Sequence, residues 1–268
     1  MSTKSVVVTG STRGIGLGLA KEFLARGCQV TVVGTSQESV DKALAELGAP
    51  ADRITGIPAD VAKRDDMQKV WDAAVAKFGK VDIWINNAGI SLPSQPLWAV
   101  SEADWHRIVD INYHGAVNGS AVAASNMLEQ GSGFIWNMEG FGSNGMNRAG
   151  GAPYGSTKYA LRYFTTSLTK DLEGKPVKAG FLSPGIVVTD LLVRDYDHVP
   201  PQVFEKVKKT LRILADRVET VTPFLADGVL AADKNGARVE WLTKGKAARR
   251  FATAKWSKRD PFLENTPS

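Results

Sequence analysis

The chain has 268 residues, of which 43% are hydrophobic and 23% are charged, and its formal net charge is +5. This is the composition of an ordinary soluble globular protein, and so mild a charge does not by itself indicate a nucleic acid partner. The single cysteine, Cys28, excludes an internal disulfide. No apolar run of about 18 residues and no signal-like leader is present, so we expect a cytoplasmic protein.

Short apolar runs alternate with longer stretches of helical pattern up to about residue 190. The runs that predict strands are 6–8, 30–33, 54–57, 81–85, 134–137 and 177–182. The stretches that predict helices are 15–26, 38–47, 65–78, 102–128 and 154–173. Strands that alternate with helices run parallel. We therefore predict an α/β fold over residues 1–268: one doubly wound, Rossmann-like sheet of about seven strands in a single domain.

Residues 190–222 break this alternation. They contain Leu191-Leu192, Pro200-Pro201 and a lysine-rich segment of helical pattern that continues to about Val218. Such an insertion after the sixth strand predicts a helical lid over the ligand crevice, with His198 in it. A solvated helix packed outside the sheet would have the same pattern.

Residues 240–268 form a basic tail, with seven lysines and arginines between 244 and 259 and two aromatic residues, Phe251 and Trp256, among them. A solvated helix is the simplest interpretation, and contact with an anionic membrane surface is the alternative. We expect no nucleic acid partner, because the basic excess is confined to this stretch.

The sequence "TGSTRGIG" at 9–16 follows the first apolar run. Gly10 would permit a sharp exit from the strand, Gly14 would let a pyrophosphate approach the backbone, and Gly16 would let the next helix pack closely. Free N–H groups at that helix start would bind the phosphates, although a glycine turn can also serve only to end a strand. The predicted cofactor residues here are Gly10, Ser11, Thr12, Arg13, Gly14, Ile15 and Gly16.

The end of the second strand indicates which dinucleotide would bind. A site for NAD usually has an acidic residue here, but this chain has Thr35 and Ser36 and no carboxylate before Glu38. Two hydroxyls and the Arg13 guanidinium would bind a 2′-phosphate, so we predict NADP(H) as the cofactor. Asp60 and Val61, after the third strand, are placed to meet the adenine, although Asp60 could equally cap a helix.

Together with this turn, "NNAG" at 86–89 and "YGSTK" at 154–158 make residues 5–190 resemble the short-chain dehydrogenase/reductase family. The resemblance implies reversible hydride transfer to or from a small-molecule carbonyl or alcohol, in a homodimer or homotetramer. It makes Tyr154, Lys158 and Asn112 catalytic. It adds Asn87, Ala88, Gly89, Tyr154, Lys158, Pro184, Gly185, Ile186, Val188 and Thr189 to the cofactor site.

The residues themselves support this chemistry. Tyr154 and Lys158 are four positions apart and would share one helix face. A nearby ammonium lowers a tyrosine pKa, so Tyr154 could pass a proton to a carbonyl oxygen while hydride arrives. Lys158 could also hold the nicotinamide ribose, and Asn112 would anchor a water that relays protons to Lys158. A surface Tyr and Lys at a helix start would give the same local pattern.

One departure concerns the serine that binds the reacting carbonyl in this family. Its place in "NMEGFGSN" (137–144) is taken by Glu139 or Gly140, depending on the alignment, and Ser143 is the nearest hydroxyl able to replace it. We expect a structural role for Glu139, because a carboxylate would oppose oxyanion charge. No histidine pair has metal-ligand spacing, so we expect no metal.

The loop at 137–144 is similar to that of the chlorophyll b reductase branch, as are "SQESVD" (36–41), "SPGIVVTDLL" (183–192) and "VEWLTKGKAARRF" (239–251). Members of that branch usually have arginine where Thr35 stands. The resemblance implies NADPH-dependent reduction of a bulky, apolar aldehyde or ketone, in a pocket between residues 91–98, 139–150 and 190–218. The rival interpretation is an NADP(H)-binding regulatory or scaffold protein with little or no turnover.

Overall fold

The computed structural model describes residues 3–194, 201–257 and 259–262. Its strands are β1 (Ser5–Val8), β2 (Gln29–Gly34), β3 (Ile54–Pro58), β4 (Ile83–Asn86), β5 (Gly133–Met138), β6 (Val177–Ser183), β7 (Val187–Val188), β8 (Asp216–Arg217) and β9 (Arg238–Glu240). Within the described ranges, seven of them form one sheet in the order β3-β2-β1-β4-β5-β6-β9, with every neighbouring pair parallel. Strands β7 and β8 form a separate parallel pair. The predicted parallel, Rossmann-like sheet is confirmed.

The helices are α1 (Gly14–Ala25), α2 (Gln37–Leu47), α3 (Arg64–Phe78), α4 (Glu102–Val109), α5 (Gly115–Gln130), α6 (Ala152–Asp171), α7 (Asp190–Arg194), α8 (Pro201–Leu214), α9 (Val218–Ala231) and α10 (Lys244–Thr253). A π-helical turn, Asp110–His114, joins α4 to α5. The lysine-rich helix that we predicted to continue to about Val218 ends at Leu214, because the chain then extends into β8 and pairs with β7.

Alternating residues of β1 face two separate cores. Val6 and Val8 pack with Leu19 and Phe23 of α1, on the face that α9 also covers. Val7 points to the opposite face, into the core formed with α3 and α5. Both faces of the sheet are therefore buried under helices, as a parallel sheet requires.

The chain reverses direction across the sheet at β1, which lies between β2 and β4. In open parallel sheets, ligands bind at the carboxyl ends of the strands beside such a switch point. The segments that leave β1, β4 and β5 there are the three whose motifs carry the predicted site. The fold thus brings the distant motifs to one edge of the sheet.

Candidate active site

The glycine turn after β1 lies directly against the segment after β4. Gly10 has φ +64°, and a methyl group added to it would lie 2.8 Å from the α-carbon of Ala88. A methyl group on Gly16 would lie 2.2 Å from the carbonyl oxygen of Gly10, so α1 starts in close contact with the turn. Gly14 also has positive φ, at +55°. These three positions exclude larger residues, as a cradle for a pyrophosphate would require.

Side chains around the turn fix its shape. Asn87 Nδ2 donates to the carbonyl oxygens of Thr9 (2.9 Å) and Gly10 (3.1 Å). The Thr9 hydroxyl accepts from the backbone N–H groups of Asn87 and Ala88. Thr9 was not among the predicted site residues, although its position before Gly10 in "TGSTRGIG" is the signal that could have identified it.

The side chain of Ser11 forms its hydrogen bonds with the ends of two strands rather than with the crevice. The residue is fully buried, and its hydroxyl donates to Val8 O (2.6 Å) and accepts from Val33 N (2.9 Å). Ile15 is partly buried against the core on the α1 face. These two residues hold the turn between β1 and β2.

The predicted phosphate-binding residues meet at the ends of β1 and β2. A methyl group on Gly34 would lie 2.4 Å from Thr12 Cγ2, so the glycine turn abuts the end of β2. Arg13 and Thr35 are exposed there, and the Arg13 side chain has no hydrogen bond or ion pair with any described residue. The Ser36 hydroxyl accepts from Ser39 N at 3.2 Å and caps α2.

Asp60 and Val61 follow β3 in a tight turn. Asp60 Oδ1 accepts from Ala62 N at 3.0 Å, and its own N–H donates to Asp66 of α3. Asp60 thus stabilises the entry to α3, which is the capping alternative considered above. Val61 is buried, and a methyl group on Gly115 would lie 2.6 Å from its Cγ2.

Lys158 lies buried on α6 with its amine beside the segment after β4. Its Nζ donates to Met138 O at 3.1 Å, at the end of β5. Burial lowers the pKa of the Lys158 ammonium to about 8, and the carboxylate of Glu139 acts in the opposite direction. Half-buried Tyr154 precedes it by one helical turn, with its ring centroid 5.7 Å from Nζ. The structure brings this predicted pair together.

Asn112 lies in the π-helical turn between α4 and α5, and such turns frequently mark functional sites. Its side-chain amide accepts from Ile90 N (2.8 Å) and donates to Ile90 O (2.9 Å). A methyl group on Gly89 would lie 3.4 Å from Asn112 Oδ1 and 3.7 Å from Lys158 Nζ, which places these three residues together. Both the oxygen and the nitrogen of the Asn112 side chain are therefore engaged. The role of Asn112 in anchoring a water stays a prediction.

The loop after β5 shows which residue, Glu139 or Gly140, takes the place of the missing serine beside the phenol. Gly140 faces the phenol, because a methyl group there would lie 2.3 Å from the Tyr154 hydroxyl. Glu139 points elsewhere, since its carboxylate binds Arg238 and lies 3.9 Å from Arg162 Nε. Gly140 therefore occupies the place beside the phenol, and Glu139 has the structural role that we expected.

Ser143 closes a tight turn on Gly140. Its hydroxyl accepts from Gly140 N at 3.0 Å, and its own N–H donates to Gly140 O at 3.1 Å. Although Ser143 is buried, this bond leaves the hydroxyl proton available for donation to another group. The geometry puts Ser143 next to the residue that contacts Tyr154.

The segment after β6 reaches the glycine turn. Buried Pro184 begins it, and Gly185 has φ +74°, with a methyl group there 2.5 Å from Leu242 Cβ. Thr189 Cγ2 would lie 3.6 Å from a methyl group on Gly14, so this segment and the turn face one another. Between them Ile186 O accepts from Asp216 N, and Val188 pairs with Arg217.

Asp216 was not predicted as a site residue, but it holds this segment to the end of the chain. Its buried carboxylate accepts from Trp241 Nε1 (2.7 Å), from both terminal nitrogens of Arg250 (2.7 and 3.0 Å) and from Arg259 NH2 (2.5 Å). Arg250 and Arg259 also donate to carbonyl oxygens at the end of α8. The solvated-helix interpretation of the basic tail is therefore wrong for these two arginines, because a buried carboxylate attracts them.

The predicted lid contains α7 and α8, and His198 lies outside the described residues. Among the residues that the structure describes, no helix is both long and apolar enough to cross a membrane. The same residues contain no group of His, Cys, Asp and Glu side chains suited to a metal ion.

Comparison with known proteins shows which family this chain is similar to. The short chain dehydrogenase family profile matches residues 4–199. The chain is 34% identical over 280 residues to the probable chlorophyll(ide) b reductase NYC1, chloroplastic, of Arabidopsis thaliana, covering 98% of this chain and 55% of that protein. It is 33% identical over 253 residues to the chlorophyll(ide) b reductase NOL, chloroplastic, of the same plant, covering 91% and 71%.

This chain thus spans about half the length of the first of these relatives. Among solved structures, the closed form of serine dehydrogenase complexed with NADP+ superposes with a TM-score of 0.76 at 27% identity, covering 89% of this chain and 94% of that one. The predicted resemblance, including its chlorophyll b reductase branch, is confirmed.

Proposed function

The chain belongs to the short-chain dehydrogenase family, and on that premise we propose that it is an NADPH-dependent reductase that converts an aldehyde or ketone to an alcohol. The observation that carries the proposal is the buried Lys158 one turn from Tyr154, beside Gly89 in the segment that packs against the glycine turn. Membership makes the chain an oxidoreductase that uses a nicotinamide cofactor.

The choice of NADP(H) over NAD(H) rests on charge at the end of β2. The Arg13 side chain is an exposed cation without a partner in the part of the chain that the structure describes, and Thr35 and Ser36 lie where an acidic residue would repel a 2′-phosphate. A solved relative in this family carries NADP+. The residues that would hold the rest of the dinucleotide are those of the glycine turn, Asn87 to Gly89, and Pro184 to Thr189.

A bound reduced nicotinamide would supply the hydride. Tyr154 would donate its phenolic proton to the carbonyl oxygen as negative charge develops there. Lys158, held by Met138 O, would favour the phenolate that remains and would bind the ribose hydroxyls. In the direction of alcohol oxidation, the same groups would take the proton.

Ser143 would take over the task of the missing serine. With its oxygen accepting from Gly140 N, its hydroxyl proton can be directed to the substrate oxygen. Gly140 lets the phenol and the substrate share the space that a serine side chain would fill. If the substrate oxygen contacts the Ser143 hydroxyl, Ser143 polarises the carbonyl. If it does not, Ser143 only stabilises the turn.

The exposed side chains around this centre support our proposal of a bulky, apolar substrate. The loops at 91–98 and 139–150 contact one another, since a methyl group on Gly150 would lie 2.4 Å from Ser94 Oγ. These loops expose large apolar side chains, namely Leu97, Trp98, Phe141 and Met146. Exposed apolar patches of this kind mark binding surfaces. The names of the plant relatives add chlorophyll(ide) b to the candidate substrates.

A homodimer or homotetramer remains our expectation for the assembly. The outer face of α6 exposes Tyr159 and Tyr163, and aromatic residues are enriched in protein interfaces. We also retain the single domain, the substrate lid over 190–222 and the cytoplasmic location as proposals.

The second candidate is an NADP(H)-binding regulatory or scaffold protein with little or no turnover. The observation that favours it is Gly140, because the usual carbonyl-binding hydroxyl is missing beside the phenol. Intact Tyr154, Lys158 and Asn112 favour the reductase.

The test is consumption of NADPH with a panel of bulky aldehydes and ketones, comparing the parent protein with Tyr154→Phe. Tyr159→Phe is the matched control, because Tyr159 lies exposed on the same helix. The reductase requires turnover that Tyr154→Phe abolishes and Tyr159→Phe preserves. NADPH binding without turnover on any member of the panel would favour the scaffold.

A further inference from the structure

A cleft of about 710 Å³ lies between α8, the start of α9 and α10. Among the described residues, its lining includes one carboxylate, Asp216, and six basic side chains: Lys209, Arg212, Lys246, Arg249, Arg250 and Arg259. We call it the cationic cleft. None of these residues belongs to the glycine turn or to the Tyr154 and Lys158 pair, and the cleft adjoins the cofactor segment only where Asp216 N donates to Ile186 O.

The carboxylate in the cleft does not neutralise it. Asp216 is saturated by Trp241, Arg250 and Arg259. Arg212 pairs with Asp260 through Nε at 2.9 Å.

Three cations then remain without a carboxylate among the described residues. They are Lys209, Lys246 and Arg249. The ammonium of Lys246 lies over the indole ring of Trp241, partly removed from water. Burial and the Arg250 guanidinium lower the pKa of Lys246 to about 8. Uncompensated positive potential of this kind draws anions to a concave site.

We propose that the cationic cleft binds the phosphate group of an anionic ligand. A phosphate group carries one or two negative charges at neutral pH, according to its substitution, and has oxygens for several donors, which suits Lys246 and Arg249 on one wall and Lys209 on the other. The volume exceeds what a single ion needs and is that of a small-molecule site.

Two sources could provide the same phosphate chemistry. One is a free phosphorylated small molecule that fills the cleft. The other is a phospholipid headgroup, because Phe251 on α10 and Trp256 just after it are 51% and 80% exposed and could enter a bilayer interface. The experiment therefore has two arms.

The first arm is calorimetric titration of pyrophosphate into the full chain saturated with NADP+, which fills the glycine turn, at constant ionic strength. The test variant is Lys246→Gln/Arg249→Gln, because neither residue binds Asp216 or the proposed catalytic groups. The control is Lys21→Gln/Lys175→Gln, which removes the same charge from exposed positions elsewhere. We expect affinity to fall at least about tenfold in the test variant only.

The second arm is cosedimentation with phosphatidylglycerol vesicles, and phosphatidylcholine vesicles are the reference. Binding to the former that the test variant loses would assign the headgroup as the source. Pyrophosphate binding that the test variant loses would assign a free ligand. The proposal is overturned if neither probe binds, or if the test and control variants bind equally in both arms.

Discussion

The α-carbon of Gly140 lies against the hydroxyl of Tyr154, so closely that a methyl group on Gly140 would be 2.3 Å from the phenol oxygen. Any side chain at position 140 must displace the phenol or the loop. This contact fixes the Tyr154 hydroxyl at the edge of the crevice, where the proposed proton transfer takes place.

Gly140→Ala is therefore expected to lower kcat/KM for carbonyl reduction by about 100-fold, because displacement of the phenol by about 1 Å misaligns proton transfer. Gly155→Ala is the control, since a methyl group there meets only Gly142, at 4.0 Å. Steady-state kinetics with NADPH measure both variants. Full turnover by Gly140→Ala would show that Tyr154 does not act from this position.

Ser143→Ala is expected to lower kcat by about 100-fold if the hydroxyl polarises the substrate carbonyl. Loss of the bond from Gly140 N alone would reduce stability, so thermal unfolding is measured in parallel. A variant that unfolds earlier but keeps its kcat at a permissive temperature would return Ser143 to a structural role.

The lowered pKa of Lys158 makes two pH effects testable. With a pKa of about 8 in the folded protein, the amine loses its charge as pH rises through that value. We expect kcat/KM for reduction to fall above pH 8. The unfolded chain keeps the proton up to about pH 10.4, so the free energy of unfolding should rise with pH between these values.

By the same reasoning, Lys158→Met should abolish turnover and yet stabilise the apoprotein by up to about 3 kcal/mol at pH 7. The advantage should shrink above pH 8, as the parent loses the buried charge. Denaturant unfolding at several pH values measures both. Equal stability of the two proteins across the range would contradict the lowered pKa.

Arg13→Ala is expected to weaken NADPH binding by about tenfold and to leave NADH binding nearly unchanged, because only NADPH carries the 2′-phosphate. Lys21→Ala removes a charge from the outer surface of α1 and serves as the control. Titration of both nucleotides gives the affinities. Equal affinities of the parent for the two would refute the role of Arg13 and Thr35.

Asp216→Asn leaves two partly buried arginines without a counter-charge and should reduce the free energy of unfolding by about 3 kcal/mol. Asp227→Asn is the matched control. Asp227 pairs with Arg26 but is 67% exposed, so its loss should cost less than about 1 kcal/mol. Similar denaturation midpoints for the two variants would contradict the proposed contribution of the Asp216 ion pairs to stability.

Local patterns in the sequence predicted six of the seven strands of the sheet and the glycine turn, but no predicted run covered β9. The apolar runs are buried on both faces, and Gly10, Gly14 and Gly16 sit where backbone geometry excludes side chains. In α9, by contrast, Pro223 and Gly228 weaken the helical pattern, although Gly228 is required because a methyl group there would lie 2.4 Å from Val239 Cγ1. Tertiary packing overrides propensity in that helix.

The candidate site was predictable only where a motif keeps its residues close in sequence. Tyr154 and Lys158 are one turn apart, so periodicity alone pairs them. The partners of Asp216 lie 25 to 43 positions further along the chain, and no local pattern connects them. Likewise, only coordinates show that Gly140 faces the phenol and that Glu139 turns to Arg238.

Hydrogen bonds donated by Asn87 Nδ2 and accepted by the Thr9 hydroxyl fix the shape of the glycine turn within the protein itself. The entropy of ordering that loop is spent during folding, so association should involve little rearrangement and should proceed at a rate close to that of a preorganised receptor. The backbone amides of Asn87 and Ala88, which donate to the Thr9 hydroxyl, should accordingly exchange their hydrogens slowly both before and after nucleotide is added.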